Sequence, residues 1–253
     1  NQDELQSKFE TAQEQLAILT QPARTIAPGK YRVYLSPVAL YELLQMVSRG
    51  GFGLKDHRTK QTSLLKMVEA DAQLSSGVTI LENTEGGIAP DFQSAGFIKP
   101  PSVSLIRGGC FESCLTSPRS AKEYGVPTNG ASSFEFPSSI DMSAGALARD
   151  DVAGELQDGL YINNLWYLNY SDRPNCRITG MTRFATFWVE QGRIAAPVNV
   201  MRFDETIYRV LGDHLIGLTN ERDFILESET YGGRSTSSGR LPGALVDEFT
   251  LTL

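Results

Sequence analysis

The sequence predicts an α+β protein: a mainly antiparallel β domain, barrel- or sandwich-like, with peripheral helices. Three observations point there. Helical periodicity is strongest near the start, the later part breaks into short apolar segments, and glycine-containing turns separate those segments. With 253 residues the chain suffices for one large domain or two small ones. Its pattern divides it into a helical/α-β segment, residues 1–75, and a β-rich part, residues 76–253.

Leu5, Phe9, Ala12, Leu16 and Leu19 recur at three- and four-residue steps and predict one apolar helical face ending before Pro22. Pro28-Gly29 marks a turn, and Tyr31 to Leu35 alternates like a strand. Ser36-Pro37 is a good N-cap followed by a good first helical residue, so a helix is expected from Pro37 to about Arg49. Val38, Leu40, Tyr41, Leu43, Leu44 and Val47 cover much of its circumference, which implies burial, and Gly50-Gly51 stops it.

Val78 to Leu81 reads as a strand. Val103 to Ile106 and Cys110-Phe111 flank Gly108-Gly109, a hairpin signal. Short helices are expected over Pro118 to Tyr124, ended by Gly125, and over Asp150 to Gln157, capped by Gly159. Leu160 to Leu168 is a long strand candidate. Arg183 to Val189 and Arg193 to Val200 form a hairpin around Glu190-Gln191-Gly192. Phe203 to Leu211 looks helical, residues 232–239 read as a flexible loop, and Leu245 to Leu251 as a closing strand.

Composition is that of an ordinary soluble protein, 41% apolar and 21% charged. The net charge of −7 and scattered basic residues argue against nucleic acid and anionic membranes as partners, because phosphate neutralisation needs clustered Lys and Arg. No stretch approaches a membrane-spanning helix, and the first residues show no charged-then-apolar pattern. Cys110, Cys114 and Cys176 are an odd, small set that fits a reducing compartment, so a cytoplasmic protein is expected. Opening at Asn1 without Met, the chain reads as a piece of a longer protein.

Several ordered segments resemble the TldD/PmbA family, also called modulators of DNA gyrase. The strand-to-helix passage Tyr34 to Leu44, the Leu105 to Phe111 hairpin, Gly159 to Ile162, Thr179 to Phe184 and Phe187 to Val198 are each similar to a family segment. The resemblance covers roughly residues 30–215. Active members carry His-Glu-x-x-x-His after the paired leucines of this helix, two His for zinc and a Glu as general base. Here Leu43-Leu44 are followed by Gln45 and Met46, and Gly50 stands where the second His belongs. The resemblance therefore implies the non-catalytic PmbA/TldE-like branch, with no catalytic residue, metal or cofactor of its own. Zinc is expected only in a TldD-type partner. Such a protein forms a homo-oligomer, or a hetero-oligomer with a TldD-like subunit, and handles unfolded or precursor peptides. Two alternatives stay open: an active metallopeptidase with a diverged or inter-subunit site, and a non-enzymatic binding or scaffold module.

Other chemistry is weighed against plain structural roles. On one strand Cys110 and Cys114 would lie about 13 Å apart, too far to share a metal, and burial is expected. His57, among charges, reads as a surface residue; His214 reads as the start of a strand. No G-x-S-x-G or phosphate-loop context occurs. The group Tyr161, Asn163, Asn164, Trp166 and Tyr167 is the remaining candidate, for peptide or partner contact. On a regular strand Tyr161, Asn163, Leu165 and Tyr167 face one side, with Ile162, Asn164, Trp166 and Leu168 opposite. Neither face is purely apolar, which suggests a groove or interface.

Overall fold

The computed structural model describes residues 2–228, 230 and 232–253. Helix α1 (Gln2–Leu19) leads to β1 (Gly29–Leu35), α2 (Pro37–Gly51) and two short helices, α3 (Leu54–Arg58) and α4 (Leu65–Glu69). Strands β2 (Ile80–Asn83), β3 (Ser102–Arg107) and β4 (Cys110–Phe111) precede α5 (Pro118–Tyr124), β5 (Ser139–Met142) and α6 (Val152–Leu156). The remainder is β6 (Gly159–Asp172), β7 (Arg177–Glu190), β8 (Arg193–Pro197), β9 (Arg202–Thr206), β10 (Leu215–Leu226) and β11 (Ser238–Leu251).

All eleven strands join one mostly antiparallel sheet with main order β1-β6-β7-β9-β11-β5-β2-β3-β4. Strand β11 is its hub: it pairs with β1, β5, β9 and β10. The sheet curls far enough for β11 to meet β1, while β5, β2, β3 and β4 extend beyond as an open wing, so it is not a closed barrel. The expected α+β class with a mainly antiparallel sheet holds.

Helix α2 lies in the hollow of this sheet. Leu40, Leu43, Leu44 and Val47 are each at most 2% exposed, packed in one core with Leu35, Ile162, Phe203 and Phe249. Its start follows from the sequence: the Ser36 hydroxyl accepts from Ala39 N at 3.2 Å and donates to Asn163 O at 2.8 Å. Ser117 caps α5 in the same way, and Gly125 ends it at φ 66°. The two-residue turns Gly108-Gly109 and Gln191-Gly192 all have positive φ, as tight hairpins between twisted strands require.

The α1 helix forms as expected, and Leu5, Phe9 and Leu16 on its apolar face are 58–70% exposed. Several expectations need correction. Phe203 to Leu211 is not one helix: β9 comes first, fixed by pairing with β7, and the chain turns helical only from Ile207, running into a short π-helical segment at Arg209–Asp213. The helix at Asp150 to Gln157 begins with a 3-10 turn and ends at Gln157 (φ 55°), not at Gly159, which opens β6. Strand β10, absent from the expectation apart from its start at His214, pairs along β11. The expected Val78 to Leu81 strand shifts to Ile80–Asn83, and Arg193 to Val200 shortens to Arg193–Pro197.

Candidate functional site

The helix stop that replaces the expected second metal ligand is built with care. Arg49 and Gly50 leave helical geometry, Gly50 at φ 90°, a conformation that disfavours any residue with a Cβ. The Arg173 guanidinium covers this glycine, donating to Gln61 O at 2.9 Å and to Arg49 O at 3.2 Å. A Cβ at Gly50 would lie 2.1 Å from Arg173 Nη2. The next carbonyl, Gly51 O, accepts from Thr62 Oγ1 at 3.1 Å and lies 2.6 Å from His57 Nε2. His57 is thus not a solvated surface residue. Its ring stacks on Phe111 at 4.5 Å, and burial lowers its pKa.

One turn earlier, the Gln45 side-chain amide donates to Tyr41 Oη on the same helix. Met46 packs against the core, and its carbonyl accepts from Tyr170 Oη at 2.7 Å. Gln45, Met46 and Gly50 therefore offer no imidazole and no carboxylate. Among the described residues no group of three His, Cys, Asp or Glu could hold a metal ion. Cys110 is exposed and not buried as expected, Cys114 is half-buried, and Cys176 is buried.

Val38, Tyr41, Glu42, Gln45, Met46 and Arg49 form one face of α2, and this face is the wall of a groove of about 370 Å³. The opposite wall is Leu165 to Leu168 of β6, and Ile225 to Ser228 at the end of β10 close it. The groove unites two features the sequence keeps apart, the altered motif helix and the aromatic strand.

The expected alternation of that strand fails because β6 is bulged. Its register against β7 shifts between Ile162 and Asn164 and again between Trp166 and Asn169, and Tyr167 sits at φ 53°. Consequently Trp166 (39% exposed) and Tyr167 (75% exposed) both emerge at the groove, whereas Leu165 is buried. Trp166 also carries the Arg183 guanidinium 4.7 Å from its ring. Asn164 lies beside the groove and bonds to Glu42. The other two candidates lie elsewhere. Tyr161 packs on Tyr34 at 4.8 Å in a second cluster with Val152 and Leu156, and Asn163 bonds to Gln15 and Ala185 O at 3.2 and 3.0 Å.

Glu42 is the residue that pattern reading passed over. Its Oε2 accepts the Leu165 N–H at 2.5 Å, tying α2 to the bulge. Burial raises its pKa to about 7, with the Glu227 charge adding to the rise and the Leu165 and Asn164 bonds opposing it. The available signal was a single carboxylate inside an otherwise apolar helical turn. Tyr41, buried beside it, is pushed up to about 12, again by burial.

Residues 28–253 match the family described as PmbA/TldA metallopeptidase, C-terminal domain. The chain belongs to the PmbA/TldD family. The fold agrees with TldE from Thermococcus kodakarensis at a TM-score of 0.80 and 16% identity, over 96% of this chain and 55% of that one. It also agrees with two proteins described as candidate modulators of DNA gyrase. The Thermotoga maritima protein gives a TM-score of 0.74 at 16% identity, over 91% of this chain and 51% of that one. The Bacteroides thetaiotaomicron protein gives 0.67 at 18% identity, over 91% and 48%. At such identity the likeness concerns the fold alone, and this chain spans about half the length of these relatives. No curated protein matches the sequence. Among the described residues no helix is long and apolar enough to cross a membrane.

Proposed function

We propose that this chain is a PmbA/TldD-type subunit of intracellular peptide processing that has no zinc site of its own and holds peptide in the α2–β6 groove. The observation that carries this reading is the end of α2. The family's two His positions are a Gln bonded within its own helix and a left-handed Gly roofed by Arg173, so the residues present do not fit a zinc ion. The groove beside them stays open and is lined by aromatic and aliphatic side chains with a few polar groups, as recognition sites commonly are. Catalysis then falls to a TldD-like partner subunit that carries the metal.

The test is metal analysis of the purified protein joined to cleavage of an unfolded peptide, by this chain alone and with a TldD-like protein. No stoichiometric zinc and no turnover alone, with turnover changed by adding this chain to the TldD-like protein, is the expected result. Bound zinc with chelator-sensitive cleavage by this chain alone would overturn it.

A further inference from the structure

We propose that the groove selects extended peptide segments bearing a lysine or arginine, whose stem lies among Tyr41, Trp166 and Tyr167 and whose charge meets the Glu42 carboxylate. This rests on the peptide-processing reading above and names the substrate class of the same site. From Val38 to Arg49 the α2 wall runs about 16 Å at 1.5 Å per residue, which matches about five residues of extended chain at 3.3 Å each. Side chains of such a segment would reach Met46, Leu168 and Ile225, whose apolar surface suits methylene stems. Aromatic rings add a cation-binding face, and Trp166 already carries one guanidinium on it, that of Arg183.

Glu42 has no cationic partner among the described residues. Some buried or part-buried carboxylates are matched by a cation within the fold, Asp141 by Arg222 at 2.5 Å and Glu205 by Arg209 at 3.1 Å, whereas the buried Glu82 and Glu135 each accept two or more backbone N–H groups. Among the described residues Glu42 has only the Leu165 N–H and Asn164 as donors. A carboxylate has about four acceptor positions, so capacity remains for a cation from the groove. Glu227, at the end of β10, adds negative charge nearby. Tyr41, pushed up to about 12 by burial, is neutral around pH 7. Among the described residues the lining cation is Arg49, two turns further along α2 and about 10 Å from Glu42, and a second cation, Arg183, lies on the Trp166 ring. With Glu42 holding its proton up to about pH 7, a bound cation must displace that proton, so the preference strengthens as pH rises from 6 to 8.

The test titrates the full chain with blocked pentapeptides Ala-Ala-X-Ala-Ala, X being Lys, norleucine or Glu, followed by calorimetry. At pH 8 the Lys peptide is expected to bind about tenfold tighter than the norleucine peptide, in line with one charge-assisted hydrogen bond. At pH 6 the ratio shrinks, and in Glu42→Gln it falls to about one. Equal binding of Lys and norleucine peptides overturns the charge preference and leaves the peptide reading standing, as does a preference kept in Glu42→Gln. Tightest binding of the Glu peptide overturns it too. Binding of none of the three defeats both readings. Should Glu42→Gln fail to fold, the wild-type pH series alone decides: a ratio that does not grow with pH overturns the proposal.

Discussion

Replacing Glu42 by Gln should make the protein more stable above neutral pH and leave it unchanged in acid. The carboxyl titrates near 7 in the fold and near 4.5 in an open chain, because burial disfavours its charge. A raised folded pKa means that the protonated form suits the fold. The associated stability is fully present below pH 4.5, is lost as pH rises towards 7, and is absent above it. An upper bound on the loss is about 3 kcal/mol. Glu42 is only partly buried and its groove is open to solvent, so screening reduces this to roughly 1–2 kcal/mol. Gln is neutral at every pH and keeps an acceptor for the Leu165 N–H. Melting temperatures of both proteins from pH 4 to 8.5 should coincide at the acid end. They should then diverge in favour of Gln by about 2–8 °C, given about 2–4 °C per kcal/mol for a chain of this size. A constant gap, or wild type gaining on Glu42→Gln as pH rises, would refute the reasoning.

Three further outcomes are expected. Restoring the motif with Gln45→His, Met46→Glu and Gly50→His together should not create a stoichiometric zinc site, because residue 50 must hold positive φ beneath Arg173. The same variant should lose at least about 1–2 kcal/mol from backbone strain, read by metal analysis and denaturant melts. Gly243→Ala should lower the midpoint of unfolding by several degrees or prevent folding. Its Cβ would sit 2.1 Å from Tyr34 Oη, and Tyr34 is 1% exposed with no room to retreat, a cost of about 1–3 kcal/mol. Glu205→Ala should cost about 3–5 kcal/mol in a urea melt at pH 7. That carboxylate, 3% exposed, accepts from Thr250 N and Oγ1, Thr206 N and Arg209 Nε, and its loss strands these donors.

Features set by local chemistry were legible in the sequence. Ser36-Pro37 announced α2, Pro118 and Gly125 bounded α5, and Gly108-Gly109 and Gln191-Gly192 announced their hairpins, because caps and positive-φ turns are decided within a few residues. Features set by distant partners were not. Phe203, Ile207, Val210 and Leu211 are spaced like a helical face, yet pairing of Gly180 with Phe203, and packing of Phe203 on Phe249 at 5.3 Å, make the first part a strand. The α1 stripe is helical as its spacing implies, but spacing cannot say whether a neighbour covers it. The groove was half legible: its motif helix and its aromatic strand each drew notice. Their meeting across more than a hundred residues follows from the parallel pairing of β1 with β6, and the bulge that turns out Trp166 and Tyr167 leaves no mark in the apolar pattern.

The hub position of β11 bears on how the chain reaches this state. Tyr34 pairs with Leu245, so the β1–β11 ladder closes a loop of more than two hundred residues, an entropic toll of about 5 kcal/mol before any contact rewards it. Until β11 arrives, the exposed edges of β1, β5, β9 and β10 lack their common partner, and each is a template for pairing with another molecule. Folding should therefore be slow, with a rate-limiting step late in the sequence order, and dilution should raise its yield more than added stability does.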